Sequence, residues 1–466
     1  MKVGMISLGC PKNRVASEQM LQKLTDAGYE LTNDETEAEA IVINTCAFIE
    51  DAKQEAINTI LETAQLKETG SLKRLIVAGC LSELYRGEIL SEMPEVDAVI
   101  GAGSYDDVVT ALEGAVRGEK PVIIGDNCAA VSETGRIIST GGVWTYLLIA
   151  DGCDNFCSYC LIPKIRGRFR SRPMERVLAE ARQLAERGYK ELILVAQDLT
   201  HYGFDLYGRP SLAALLRELC KIDGLRWIRL HYLYPRELDD ELIEVIASEP
   251  KIVKYIDIPI QHINDRILKR MNRRDTGESI RALFKKLRER IPGLVLRTSL
   301  ITGLPGEGEE EFEELCEFLR EAKIERAGVF PFSPEDGTPA AKMEYPPKDV
   351  AMERAALVER LQSEVMDAWE DSLVGREIEA ICDYHYHLTK LSGNDVYAMT
   401  FKAFHGPLRG LTAEHFRSAK ERRQSLQLHT ELTRALHEGE ADEAARLVRE
   451  IIKRADENLS GGKKRK

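Results

Sequence analysis

The sequence lacks long hydrophobic runs, an excess of positive charge and the residue sets of the common hydrolytic sites. None of its apolar stretches approaches the ~18–20 residues of a membrane span, and no charged-then-apolar leader opens the chain, so we expect a cytoplasmic protein with no membrane partner. A net charge of −13 over 466 residues argues against non-specific nucleic-acid binding. We recognise no Ser/His/Asp set and no carboxylate pair placed for acid–base catalysis, and the Gly303–Gly306 loop lacks the G-x-x-x-x-G-K phosphate-binding pattern.

Cysteine, in contrast, is plentiful, and one group is tightly spaced. Ten cysteines without a secretory signal indicate a reducing compartment, where thiols bind metals or catalyse reactions. Cys153, Cys157 and Cys160 form a C-x3-C-x2-C pattern that can hold three corners of an iron–sulfur cube and leave one iron open. The alternative is a structural zinc site, which needs four ligands, and the nearest further candidates are Cys128 and His201. We favour the cluster.

A second group is defined by its position in a repeated pattern. Cys10, Cys46 and Cys80 each end a short apolar run and precede a helical pattern, near residues 15–27, 51–66 and 83–90. Such runs alternating with helices predict parallel βα units, whose strands share one carboxyl edge where ligands bind. Each cysteine could instead be an ordinary buried thiol. Because all three cysteines occupy the same position in the repeat, we favour the interpretation that they lie together at that edge.

A second alternating series follows a predicted linker at residues 116–143. The strand candidates are Trp144–Ala150, Leu192–Ala196, Trp227–Leu230, Tyr255–Ile260, Leu294–Ile301 and Ala327–Phe332, with helical patterns near 174–187, 211–221, 237–248, 277–290 and 308–322. Six strands alternating with helices predict a complete or partial parallel barrel with its site at the strands' carboxyl ends. The sequence therefore predicts an α/β protein with two parallel domains. Five cations within Lys164–Arg172 could receive a polyanion or pair with acidic neighbours, and both readings stay open.

These motifs resemble those of a known family. The C-x3-C-x2-C loop followed by a barrel is similar to the radical S-adenosylmethionine (SAM) superfamily, and an amino-terminal domain with three more cysteines resembles its methylthiotransferase branch. Within that branch the likeness is to the RimO-type ribosomal protein methylthiotransferases, over residues 1–375. It is carried by SLGCPKN (Ser7–Asn13), NTCAFIEDA (Asn44–Ala52), WIRLHYLYP (Trp227–Pro235), IPIQH (Ile258–His262) and RTSLITGLPGE (Arg297–Glu307).

The resemblance implies two 4Fe–4S clusters and SAM as cofactors, with a different role for each group of three cysteines. Cys153, Cys157 and Cys160 would hold the cluster that binds and cleaves SAM, and Cys10, Cys46 and Cys80 an auxiliary cluster carrying the sulfur. Glu191 and Gln197 would contact SAM by their position in the motifs, against the alternative of ordinary strand-end polar residues. No catalytic residue is assigned beyond the clusters. This agrees with radical chemistry, in which the cofactor performs the bond cleavage and the protein binds and orients it.

The implied reaction adds a methylthio group to the β-carbon of an aspartate in ribosomal protein uS12. The implied partners are uS12 or the small ribosomal subunit and an external electron donor. Two alternatives stay open: a tRNA adenosine methylthiotransferase, and a noncatalytic iron–sulfur protein that binds the ribosome.

The sequence pattern and the resemblance together predict five segments, and the last two, at the carboxyl terminus, are atypical of the family. They are a methylthiotransferase amino-terminal domain at 1–115, the linker, a radical SAM barrel at 144–374, an incomplete TRAM-like segment at 375–410 and a helical tail at 411–466. Leu428, Leu432 and Leu447 belong to the helical pattern of this tail. Residues 416–466 carry 13 Lys and Arg against 9 Asp and Glu, so the tail could touch ribosomal RNA or be a solvated end.

Overall fold

A computed structural model describes residues 1–372 and, beyond them, residues 427, 428, 431, 432, 434, 443 and 446–450. The chain divides into two compact units, one of residues 1–139 and 144–374 and the other of residues 140–143 and 375–466. The predicted TRAM-like segment at 375–410 lies outside the described residues. No helix in the described part of the chain is both long and apolar enough to cross a membrane.

The amino-terminal half of the first unit is built on a six-stranded, wholly parallel sheet. Its strands are β1 (Lys2–Ser7), β2 (Glu30–Leu31), β3 (Ala40–Thr45), β4 (Arg74–Gly79), β5 (Ala98–Gly101) and β6 (Val122–Ile123). Their order is β2-β1-β3-β4-β5-β6, and the register pairs Ile43 with both Ile6 and Val77. The central strands are buried on both faces, which explains their nearly continuous Val and Ile content.

Helices cover both faces of this sheet. They are α1 (Pro11–Asp26), α2 (Glu50–Ala64), α3 (Leu66–Thr69), α4 (Cys80–Tyr85), α5 (Glu88–Glu92) and α6 (Val108–Arg117). Helix α1 begins with Pro11 at its first position, where the missing N–H has no partner to lose. Strand β6 lies inside the predicted linker, so the first domain extends beyond residue 115. The two-residue strand is too short to show an alternating pattern in the sequence.

A second parallel sheet forms the predicted barrel in partial form. Its strands are β7 (Trp144–Leu148), β10 (Glu191–Val195), β11 (Trp227–Leu230), β12 (Ile252–Asp257), β13 (Val295–Thr302) and β14 (Arg326–Pro331), and β8 (Ala150–Asp151) pairs antiparallel with β9 (Arg170–Ser171) between β7 and β10. The order β14-β13-β12-β11-β10-β7 leaves β7 and β14 as edges, so the sheet does not close into a complete barrel. All six strand candidates of this domain are confirmed to within a few residues.

Helices pack outside this sheet and bury one continuous hydrophobic core. They are α7 (Ile162–Arg166), α8 (Met174–Glu186), α9 (Phe204–Tyr207), α10 (Leu212–Cys220), α11 (Asp240–Ser248), α12 (Asp265–Arg270), α13 (Gly277–Arg290), α14 (Glu309–Ala322) and α15 (Lys348–Asp371). The described residues beyond 426 are helical, and Leu432 and Leu447 are buried, in agreement with the predicted helical pattern.

Candidate functional site

The C-x3-C-x2-C loop follows β7 and β8 at the carboxyl edge of the second sheet, as predicted. A neighbouring segment fixes its backbone: Ser158 N donates to Met271 O at 3.0 Å, and Asn272 Nδ2 donates to Phe156 O at 2.9 Å. Phe156 and Asn272 have φ of +47° and +56°, in the left-handed region that non-glycine residues rarely adopt. Such conformations persist where the surroundings impose them and cluster at functional sites.

The three thiols of this loop act on one another electrostatically. Burial raises the pKa of Cys160 well above its usual value, and the charges of Cys157 and Cys153 raise it further. Burial likewise raises the pKa of Cys153 to about 12. Arg273 Nη1 lies 4.0 Å from Cys157 Sγ, while its Nη2 donates to Pro259 O. A thiol with so high a pKa stays protonated at neutral pH when no metal is bound. A bound metal displaces the proton and stabilises the thiolate.

The second trio converges at the carboxyl edge of the first sheet. Cys10 follows β1, Cys46 follows β3 and Cys80 begins α4 directly after β4, and these three strands are neighbours. A Cβ placed on Gly9 would lie 2.7 Å from Cys46 Cβ and 3.1 Å from its Sγ, and Gly9 has φ +82°. Only glycine allows the Cys10 loop to approach Cys46 so closely.

Asn13 joins the three strands that carry this trio. Its Nδ2 donates to Leu8 O at 3.2 Å and to Thr45 O at 2.8 Å, and its Oδ1 lies 3.8 Å from Cys80 Sγ. Asn13 is fully buried, so these contacts satisfy an amide that would otherwise destabilise the fold. The sequence carries no signal for this role, because an asparagine within a helical pattern is not distinguished from any other polar residue.

Charges around the second trio differ from one thiol to the next. Burial raises the pKa of Cys80 to about 12. Burial also raises the pKa of Cys10, but the charges of Lys12 and Arg166 outweigh it and hold that pKa below its usual value. Burial and the neighbouring Cys10 raise the pKa of Cys46. The three thiols therefore act on one another electrostatically, as expected for a shared site.

Arg166 connects the two trios. It ends α7, which follows the C-x3-C-x2-C loop, and its Nη2 donates to Asn13 Oδ1 and lies 3.9 Å from Cys80 Sγ. Its Nη1 donates to Asp151 Oδ2 at 3.3 Å, two residues before Cys153. One buried guanidinium thus contacts residues next to both groups of cysteines.

Gln197 and Glu191, the predicted SAM contacts, lie at opposite ends of β10. Gln197 follows the strand's carboxyl end, and its Nε2 donates to Asp151 Oδ1 at 2.8 Å, while its Oε1 is buried without a hydrogen-bond partner. Glu191 is the first residue of the strand, and its Oε1 accepts from Arg229 Nε at 2.7 Å. The structure brings Gln197 beside the cysteine loop but not Glu191, so the geometry gives the Glu191 prediction no support.

The donor sets fit clusters better than single ions. Among residues 1–372 and the described positions of the tail, no three His, Cys, Asp or Glu side chains are grouped closely enough to hold one metal ion. Each trio nevertheless gathers three thiols, and thiolates are the usual ligands of iron–sulfur clusters, whose size spreads their ligands apart. The orphaned Gln197 Oε1 offers an acceptor beside the first trio.

The cation run after the cysteine loop pairs with acidic neighbours. Arg168 Nε donates to Asp154 Oδ1 at 2.7 Å, and Arg172 is paired with Glu133 and Glu180. Of the two readings of this run, the structure supports internal pairing. His262 is fully buried and its Nδ1 accepts from Asn264 N, as expected of a structural histidine.

Gly152 provides a test of how the cysteine loop is held. It has φ +77°, and a Cβ there would collide with the carbonyl oxygen of Arg168. We expect Gly152→Ala to displace Cys153 and to reduce iron retention at this loop by at least half in anaerobically reconstituted protein. The matched control is Gly188→Ala, because Gly188 has φ +99° with nothing within 4 Å. That variant carries the backbone strain alone, about 1–2 kcal/mol, and should retain its iron. Equal iron loss in both variants would contradict the steric argument.

Comparison with known proteins agrees with this geometry. The model of the Radical SAM superfamily matches residues 147–319, that of Uncharacterized protein family UPF0004 matches residues 2–101, and that of the FCD domain matches residues 347–454. The chain is 52% identical over 385 residues to ribosomal protein uS12 methylthiotransferase RimO of Lachnoclostridium phytofermentans, covering 82% of this chain and 88% of that protein. The chain belongs to the RimO family. It is therefore a radical SAM methylthiotransferase, with 4Fe–4S clusters and SAM as its cofactors.

Other RimO proteins match over the same extent. Those of Geobacter sulfurreducens and Anaeromyxobacter sp. strain Fw109-5 are each 49% identical to this chain, covering 84% and 82% of it and 88% and 81% of themselves. Among solved structures, the radical SAM methyltransferase TsrM of Kitasatospora setae aligns with a TM-score of 0.53 at 15% identity, covering 73% of this chain and 76% of TsrM. That similarity confirms the fold of a parallel βα domain followed by a radical SAM sheet.

Proposed function

We propose that this RimO-family enzyme adds a methylthio group to the β-carbon of an aspartate in ribosomal protein uS12. The relatives named above are uS12 methylthiotransferases, and their match covers both cysteine-bearing domains. The observation that carries the proposal is the pair of converging cysteine trios, joined through Arg166. An external electron donor completes the proposed reaction, and contact of the basic tail with ribosomal RNA belongs to the same proposal.

The proposal assigns one cluster to each trio. Cys153, Cys157 and Cys160 hold the cluster with an open iron, and the second trio (Cys10, Cys46 and Cys80) holds the auxiliary cluster. When bound, SAM and these clusters supply a radical that removes hydrogen from the target carbon, the sulfur that is inserted and the methyl group. The residues of the chain have the tasks of binding, orienting and enclosing these groups.

Several described contacts suit those tasks. The Gln197 Oε1 has no partner within the described residues and can accept a hydrogen bond from the SAM amino group, while Asp151 fixes its amide. Arg273 is buried beside Cys157 and is anchored to Pro259 O, so it places positive charge against the thiolates. Of the six cysteines Cys80 is buried and the other five are half-buried, which limits the access of water that would quench reactive species.

The test compares uS12 from cells with and without the gene. Intact-mass spectrometry should show uS12 heavier by one methylthio group in place of hydrogen in the parent strain, and fragmentation should place the group on an aspartate. The deletion strain should show unmodified uS12, and the plasmid-borne gene should restore the modification. Identical uS12 masses in the two strains would contradict the proposal.

The same strains separate the two alternatives. Loss of methylthio-adenosine from tRNA in the deletion strain would indicate the tRNA-modifying reaction. Iron incorporation without SAM cleavage under strong reductant would indicate a noncatalytic iron–sulfur protein. We expect neither, because the relatives at 48–52% identity are named for uS12 and both trios are intact.

A further inference from the structure

Lys12 is a largely buried cation that forms no ion pair with a carboxylate among the described residues. It is 8% exposed and lies in the first turn of α1, two residues after Cys10. Its ammonium lies 3.9 Å from the centroid of the Tyr232 ring. Within the part of the chain that the structure describes, no carboxylate or hydrogen-bond acceptor contacts the Lys12 ammonium. Burial raises the pKa of the Cys10 thiol, and the charge of Lys12 lowers it. The Lys12 ammonium is not among the fully buried side-chain atoms that lack a partner, so its N–H donors are available to an anion from outside the described residues.

The neighbouring carboxylates are already paired with arginines. Asp257, at the end of β12, accepts from Arg297 Nη1 at 2.7 Å, and the Tyr232 backbone N–H points to its other oxygen at 3.4 Å. Asp151 is occupied by Arg166 and by Gln197. Neither carboxylate therefore neutralises Lys12, whose ammonium lies where the amino-terminal domain meets the carboxyl edge of the barrel sheet.

The Tyr232 ring is held firmly in place for this contact. Tyr232 has φ +64°, a conformation that an aromatic residue rarely adopts, and its carbonyl oxygen accepts from Leu199 N at 2.9 Å. The ring of His231 packs against it edge-on, with centroids 5.8 Å apart. The cation–π contact with the Tyr232 ring orients the Lys12 ammonium and uses none of its N–H donors, which stay available to another ligand.

We propose that the Lys12 ammonium, supported by the Tyr232 ring, binds the side-chain carboxylate of the substrate residue. This inference rests on the proposed function, in which that residue is an aspartate. The contact would place the target β-carbon, one bond from the carboxylate carbon, near the second trio, because Lys12 acts electrostatically on Cys10. It makes Lys12 a substrate-binding residue that selects a carboxylate side chain.

Two uS12 peptides test the proposal, one spanning the target aspartate and one with asparagine in its place. Affinities are measured by fluorescence anisotropy with anaerobically reconstituted full-length enzyme. The wild type should bind the aspartate peptide roughly 30-fold more tightly than the asparagine peptide, the effect of one charged, desolvated hydrogen bond. Lys12→Met should bind both peptides alike, at the wild-type affinity for the asparagine peptide. Lys12→Arg should restore most of the preference.

The controls separate this role from others. Lys285→Met, on a side chain that is 79% exposed, should keep the full preference for aspartate. The proposal is overturned if Lys12→Met keeps the preference, if it weakens both peptides equally, or if it loses iron or SAM affinity instead. If the wild type modifies the aspartate peptide while Lys12→Met keeps the preference, this inference alone falls. If the wild type neither binds nor modifies the peptide, the proposed function falls with it.

Discussion

Replacing Cys153, Cys157 and Cys160 together by alanine is expected to abolish the release of 5′-deoxyadenosine from SAM under strong reductant. The three thiols are the ligands proposed for the cluster with an open iron, and a four-iron cluster is not retained without its cysteines. Product release should fall at least 10³-fold, to the background of protein-free reductant. The measurement is chromatography of anaerobic reactions after a fixed time.

A matched control distinguishes ligand loss from damage to the fold. Cys220→Ala removes a half-buried thiol at the end of α10, outside both trios, and should release 5′-deoxyadenosine at the wild-type rate. The triple variant should also keep the wild-type circular dichroism spectrum, because the loop is held by Asn272 and Met271 through its backbone. Continued release by a folded triple variant would show that the C-x3-C-x2-C loop does not carry the chemistry.

Arg166→Met is expected to lower the free energy of unfolding by about 3–5 kcal/mol, because it removes the buried cation that pairs with Asp151 Oδ2 and donates to Asn13 Oδ1. The Arg166 side chain is 4% exposed and that of Asp151 is 12% exposed, so water replaces the lost contacts poorly. The variant should also lose iron from the second trio preferentially, because Arg166 contacts Cys80. Urea denaturation and iron analysis give the two readings.

Arg168→Met is the appropriate control for this change. Arg168 lies two residues further along the same cation run, but its side chain is 65% exposed and pairs with Asp154 at the surface. Surface ion pairs contribute roughly 0–1 kcal/mol, so the control should unfold at nearly the wild-type urea concentration. If both variants lost the same stability, the bridging role of Arg166 would be wrong.

The sequence predicted both trios because their signals are local. Cys153, Cys157 and Cys160 are close along the chain, and Cys10, Cys46 and Cys80 each follow a strand-like run. Parallel strands share a carboxyl edge, so a repeated position along the chain becomes a common position in space. The same rule explains why Gln197 reaches the site and Glu191 does not: Glu191 begins its strand, and Gln197 follows its end.

The contacts that join the trios could not be predicted in this way. Arg166 and Asn13 are 153 positions apart, and Lys12 meets Tyr232 across the boundary of the two sheets. No periodicity or spacing encodes such pairs, because they depend on how two separately formed sheets pack together. The pairing of Arg168 and Arg172 with nearby acids was one of two open readings, and it needed coordinates to decide.

The central claim is that two trios of cysteines form two separate cluster sites in one chain, and counting iron tests it most directly. Anaerobically reconstituted wild-type protein should contain about eight irons per chain, and each triple alanine variant about four, following from one four-iron cluster per trio. About four irons in the wild type, or the loss of all iron when either trio alone is removed, would contradict the account.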